Sequence, residues 1–172
     1  MSLQQMRSYA RFGGSTVFTV ACLLVAPGTF AQSAAAAANA FALFPGSWAG
    51  DGTVTTSNGT SERIRCRAKY SVSPSGGALH QALRCASDSY KFDVSADVVE
   101  EGGAVSGTWT EANRGATGHI SGRIADGKLK ATIAGPSFTA RLKLKTRSDR
   151  QTVSILPQGV EVTGITITLR RG

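Results

Sequence analysis

Two cysteines placed either side of a turn restrict this chain more than any other feature. Folding it about Ser75 and Gly76, inside the turn sequence Ser73-Pro74-Ser75-Gly76-Gly77, sets Cys66 opposite Cys85, Ala68 opposite Leu83, Tyr70 opposite Gln81 and Val72 opposite Leu79. Side chains alternate faces along a strand, so Ile64, Cys66, Ala68, Tyr70 and Val72 share one face with Leu79, Leu83 and Cys85. The other face carries Arg63, Arg65, Arg67, Lys69, His80 and Arg84. The predicted unit is a β-hairpin, apolar on one side and basic on the other, closed by a Cys66–Cys85 disulfide.

The same period of two runs on through the chain. Tyr90, Phe92, Val94, Ala96 and Val98 alternate with Lys91, Asp93, Ser95 and Asp97, Gly102-Gly103 turns, and Val105, Gly107 and Trp109 begin the next strand. Asp126-Gly127 is a two-residue hairpin signal between Ile124 and Leu129. Beyond Gly135-Pro136, Phe138, Ala140, Leu142 and Leu144 alternate with Thr139, Arg141, Lys143 and Lys145, which predicts a second basic strip. In the last strand the apolar phase shifts from Val160 and Val162 to Ile165, Ile167 and Leu169, which predicts a bulge near Gly164. No stretch after the first 31 residues has a convincing helical period. The fold class expected is all-β: an antiparallel up-and-down meander of 8–10 strands closing into a barrel, with a two-layer β-sandwich as the alternative. Closure is favoured because it removes unpaired strand edges.

The first 31 residues read as a secretory signal: a basic start with Arg7 and Arg11, an apolar run over residues 17–26, and a small-residue exit at Gly28-Thr29-Phe30-Ala31. Cleavage after Ala31 is expected, Cys22 leaves with the signal, and no transmembrane segment is expected in the mature chain, because the run is well short of the roughly 20 apolar residues a spanning helix needs. Residues 32–44, with the alanines from 34 to 38, form a lead, and 45–172 form a single domain. Without Arg7 and Arg11, the 19 basic residues fall to 17 against 11 acidic ones, a net charge of +6. The location expected is periplasmic or secreted. An oxidising compartment favours a disulfide for the remaining two cysteines, which are too few for a structural zinc site.

Gly46-Ser47-Trp48 resembles the Gly-x-Trp of the calycin superfamily, the lipocalins, avidins and their relatives. The resemblance implies that Trp48 closes one end of a barrel at the first strand, and that Arg170 or Arg171 packs over it from the last. The size, single bridge and export also resemble small periplasmic barrels that inhibit proteases. The whole exported chain is similar to a group of uncharacterised alphaproteobacterial envelope proteins that end in an Ile-Thr-Leu-Arg-Arg type strand, a likeness that implies no activity.

Two kinds of binding follow from the pattern. Trp48, Tyr70, Tyr90, Phe92, Trp109 and Phe138 would line an interior that holds a small apolar ligand, with inward glycines at 50, 52, 107, 118 and 122 leaving room; the competing reading is a filled core. Arg63, Arg65, Arg67, Lys69 and Arg84, joined by Arg141, Lys143 and Lys145, would form one patch for an anionic envelope polymer, against a reading as an ordinary solvated face. Nucleic acid is not expected, because no outward aromatic residues interleave with the basic ones. A protein partner, such as a secreted hydrolase inhibited through residues 41–45, and a structural envelope role are the alternatives. His80 and His119 fall in the outward phase with no nucleophile beside them, and pairings such as His119 with Glu111 arise at turns by chance. The chain is expected not to be an enzyme and to hold no metal or cofactor.

Overall fold

The structure, a computed structural model, describes residues 39–172. Ten strands follow in order: β1 Gly46–Thr56, β2 Ser61–Val72, β3 Ala78–Ala86, β4 Lys91–Glu101, β5 Ala104–Glu111, β6 Ala116–Ala125, β7 Lys128–Ala134, β8 Thr139–Arg147, β9 Arg150–Gln158 and β10 Val162–Arg171. Each pairs antiparallel with the next, and β10 pairs with β1, so the sheet closes into a barrel rather than a sandwich. The signal-sequence expectation lies outside the described residues. Among them, no helix is long and apolar enough to cross a membrane.

The cysteine hairpin sets the register as the alternation predicts. Cys66 pairs with Cys85, Ala68 with Leu83, Tyr70 with Gln81 and Val72 with Leu79. The disulfide bridges residues whose Cα atoms lie 4.1 Å apart, near the spacing of a non-hydrogen-bonded cross-strand pair. Gly102-Gly103 and Asp126-Gly127 take positive φ at both residues, as a two-residue turn between right-twisted strands requires. The β1–β10 register slips where Thr55 pairs with Gly164 but Thr56 with Val162, leaving Thr163 as the extra residue of a bulge beside Gly164.

Odd strands run from one pole of the barrel to the other and even strands return. The pole at the start of β1 is plugged. Phe41 and Phe44 are fully buried there, in edge-to-face contact with each other, and Phe44 meets the Tyr70 ring in the same way at 5.7 Å. Both phenylalanines belong to the segment read as a lead, residues 32–44, and pack against the barrel. Residues 41–45 do not protrude as an inhibitory segment would, because both phenylalanines face the core.

The inward glycines do not open spare volume at their own positions. A Cβ at Gly50, Gly107, Gly118 or Gly122 would collide with a carbonyl oxygen of the neighbouring strand (Thr168, Asp97, Ala134 and Lys130 respectively). The missing side chains let adjacent backbones close up and the sheet curve. At Gly118 the space beside the strand is also taken by the Trp109 ring.

Candidate functional site

Six aromatic residues were candidates for one lining, and the barrel divides them between its poles. Trp48 and Tyr70 belong to the plug. The Trp48 indole N–H donates to the Phe44 carbonyl at 2.8 Å, and the Arg171 guanidinium lies 4.5 Å over the indole ring. Arg171 also donates to the carbonyls of Leu43, at 2.7 Å, and Pro45. Arg171 rather than Arg170 thus fills the role that the calycin resemblance implies; Arg170 pairs with Asp149 outside.

Beneath the plug, the Tyr70 hydroxyl donates to Gln151 Oε1 at 2.7 Å, and Gln151 Nε2 donates to Thr146 Oγ1 at 3.0 Å. Burial pushes the Tyr70 phenol well above its ordinary value, outweighing the opposing effect of the Gln151 bond. This polar chain is fully satisfied and buried. Its sequence signal is two polar residues in the inward phase, at cross-strand partners Thr146 and Gln151.

At the opposite pole the inward phase meets solvent. Leu83, Phe92, Ile133, Leu142, Ile155 and Ile165 point inward yet are only half-buried, and they are linked across strands by the Leu142–Ile155 and Ile155–Ile165 pairs. Val54, Ile64 and Ala140 remain buried among them. Tyr90 and Phe92 stack with ring centroids 6.0 Å apart, and Phe138 tilts against Trp109 at 5.7 Å. The Trp109 indole is fixed by its N–H to the Ala134 carbonyl at 3.1 Å. This apolar belt open to water is the mouth of the barrel.

Glu111 anchors the rim. Its side chain is buried, and burial alone would raise its pKa, but the backbone N–H groups of Asp93, Asn113 and Arg114 and the Asn113 amide donate to it and hold it below its ordinary value. Arg114, held by the same carboxylate, lies 5.4 Å over the Phe92 ring. A depressed folded-state pKa stabilises the fold above the unfolded value of about 4.3, and that contribution is lost as pH falls through the folded value. Glu111→Gln should destabilise the barrel by about 1–2 kcal/mol at neutral pH and flatten the fall in the denaturation midpoint on acidification, which urea titrations from neutral to acid pH will measure. Glu111 faces inward and His119 is exposed on the outer face, so the two do not meet.

The two basic strips do not merge. In the ring of ten strands, β2–β3 and β7–β8 lie on opposite walls. Arg65, Arg67, Lys69 and Arg84 border an open depression of about 1110 Å³ on the outside of β1–β3, floored by Ala49, Ala82 and Ala86, while Arg63 lies towards the mouth end of the same wall. Acids partly offset this wall: Arg84 pairs with Asp93 at 3.0 Å, His80 with Asp97 at 2.7 Å, and Asp51 lies across from Arg65. Arg141, Lys143 and Lys145 face out from the other wall. Among the described residues, no group of His, Cys, Asp and Glu is arranged to hold a metal ion.

No known family model matches the chain, and no curated protein is similar to it in sequence. Solved structures share its fold. Rv2717c from M. tuberculosis superposes with a TM-score of 0.62 at 14% identity, over 77% of this chain and 95% of that one. The S-type phycobiliprotein lyase CPES from Guillardia theta gives 0.57 at 11% identity, over 77% and 90%. A protein of unknown function from the DUF3598 family of Nostoc punctiforme PCC 73102 gives 0.54 at 13% identity, over 75% of this chain and 47% of that one. The expectation that the chain is not an enzyme is overturned by the second of these. A barrel of this fold belongs to a protein described as a lyase, so the lack of a familiar catalytic motif does not exclude catalysis.

Proposed function

We propose that this chain is an exported binding protein that takes a small apolar ligand into the open mouth of its barrel. One observation carries the reading: Leu83, Phe92, Ile133, Leu142, Ile155 and Ile165, apolar side chains in the inward phase, are half-exposed and gather towards the mouth. Apolar surface that a fold leaves facing water is where an apolar ligand gains by displacing solvent. The site residues in this reading are Tyr90, Phe92, Trp109 and Phe138, with Leu142 and Ile155. The disulfide favours an oxidising compartment, periplasmic or extracellular, and a signal sequence over residues 1–31 accords with it.

Titration with an apolar fluorescent dye tests the reading, because Trp109 at the mouth will report its arrival. Saturable binding is expected. Ile155→Glu, which sets a charge in the half-exposed belt, should weaken it by about tenfold or more while leaving the β-sheet circular dichroism intact. Non-saturating uptake that is the same in the variant would sink the reading. Native mass spectrometry of the protein taken from its own compartment would then identify the ligand class.

A further inference from the structure

We propose that the barrel docks on an anionic lipid bilayer through the outer face of its β6–β9 wall. Three observations converge on that side. The first is concentrated charge: Arg123, Lys128, Lys130, Arg141, Lys143 and Lys145 all face out from β6–β8. Lys128 stands directly opposite Lys145, Lys130 opposite Lys143, and Arg123 opposite Lys130. Like charges at such positions repel. Among the described residues none of these six cations is in an ion pair; the one pair on this side joins Arg170 on β10 to Asp149 in the β8–β9 turn, and the exposed Asp126 and Glu161 stand at the turns that flank the wall. A surface that keeps this repulsion is matched to an external negative charge, and the β2–β3 wall, with its own acids, is matched less well.

The second is exposed apolar surface at the end of the same wall. Leu156 is 38% exposed and Val160 42% exposed, and Leu156 lies across from Arg141. The turn carrying Val160 packs against the turn between β7 and β8, where a Cβ on Gly159 would meet the Ser137 carbonyl at 3.1 Å. Pro136 is exposed on that neighbouring turn. Basic side chains behind an apolar tip are the pattern of a surface that pairs with lipid head groups and dips into the acyl boundary.

The third is position. Leu156 faces outward on the same wall as the cations, directly across from Arg141, so one plane can meet both. The cations spread over three strands, about 10 Å across and about 14 Å along β8, a two-dimensional array that fits a charged plane better than a single polymer strand. The docking does not rest on the proposed ligand site.

Vesicle flotation with the full domain tests this. Vesicles containing phosphatidylglycerol should bind at least about tenfold better than phosphatidylcholine vesicles, and added salt should weaken the binding. Lys130→Glu with Lys143→Glu should abolish it, and Leu156→Ser with Val160→Ser should reduce it several-fold without changing the salt dependence. Arg65→Glu with Arg67→Glu, on the opposite wall, should change it by less than about twofold. All these positions are exposed, and circular dichroism will verify that the variants fold. Equal binding to both vesicle types, or equal loss from either wall, overturns the proposal. So does binding to soluble polyphosphate without binding to vesicles, which would assign the surface to a linear polyanion. Dye titration of the same samples keeps the two readings apart, since dye uptake without vesicle binding defeats the docking inference alone.

Discussion

Trp48→Ala should cost the domain about 3–5 kcal/mol, lowering its melting temperature by more than about 10 °C. Few single side chains here combine so many roles. Trp48 is almost fully buried, its N–H satisfies the Phe44 carbonyl, and its ring supports the Arg171 guanidinium. Removing the indole leaves a cavity beneath Phe41 and Phe44 and takes away the surface on which Arg171 rests. Arg171 in turn holds the carbonyls of Leu43 and Pro45, so the plug segment should loosen with it. Thermal melts will measure the loss. Hydrogen exchange separates this account from a general softening: protection should fall first at Phe44 and in the Trp48–Arg171 region of the seam, before the β4–β7 hairpins respond. A melting temperature within about 2 °C of the parent protein would show that the plug contributes little.

Reducing the Cys66–Cys85 bridge should cost about 3 kcal/mol, or about 10 °C, and replacing both cysteines by Ser should cost more. The bridge closes a loop of sequence separation 19, and most of its contribution comes from restricting the unfolded chain. Both sulfurs are buried, so the Ser variant adds the cost of two hydroxyls in an apolar layer. Comparing Ser and Ala pairs isolates that cost. The Ala pair should fall by the chain-entropy amount and by a modest cavity effect, and calorimetry under oxidising and reducing conditions will show whether the parent protein alone responds to reductant.

Much of the barrel could be read from residue patterns because antiparallel strands are specified locally. A run such as Ile64-Arg65-Cys66-Arg67-Ala68 states its own phase, and a turn such as Asp126-Gly127 states its own partner strands, so hairpins followed from neighbours in sequence. The plug did not, because Phe41 and Phe44 sit in a short turn with no alternation to assign them a face. The split of the six aromatic residues between two poles was hidden for a different reason: phase tells whether a side chain points inward, not how deep along the barrel it lies. The basic strips misled because adjacency around a ring depends on the number of strands between them, and β4–β6 on one side and β9, β10 and β1 on the other keep them apart. Glycines in the inward phase looked like spare volume. Only the register shows that carbonyl oxygens of neighbouring strands already fill the space at Gly50 and Gly122.

Closure has a consequence for how the chain reaches this structure. Nine of its strand pairings join consecutive strands through short turns, and each can form as soon as its own two strands exist. The tenth, β1 with β10, joins Trp48 to Arg171 and must wait for the far end of the chain. Assembly is therefore a series of quick local steps ending in one slow, long-range one, and until that step the two free edges can pair with another molecule. The same late residues that complete the seam also carry Arg171 onto the plug. The last strand made is the one that ends the period of risk.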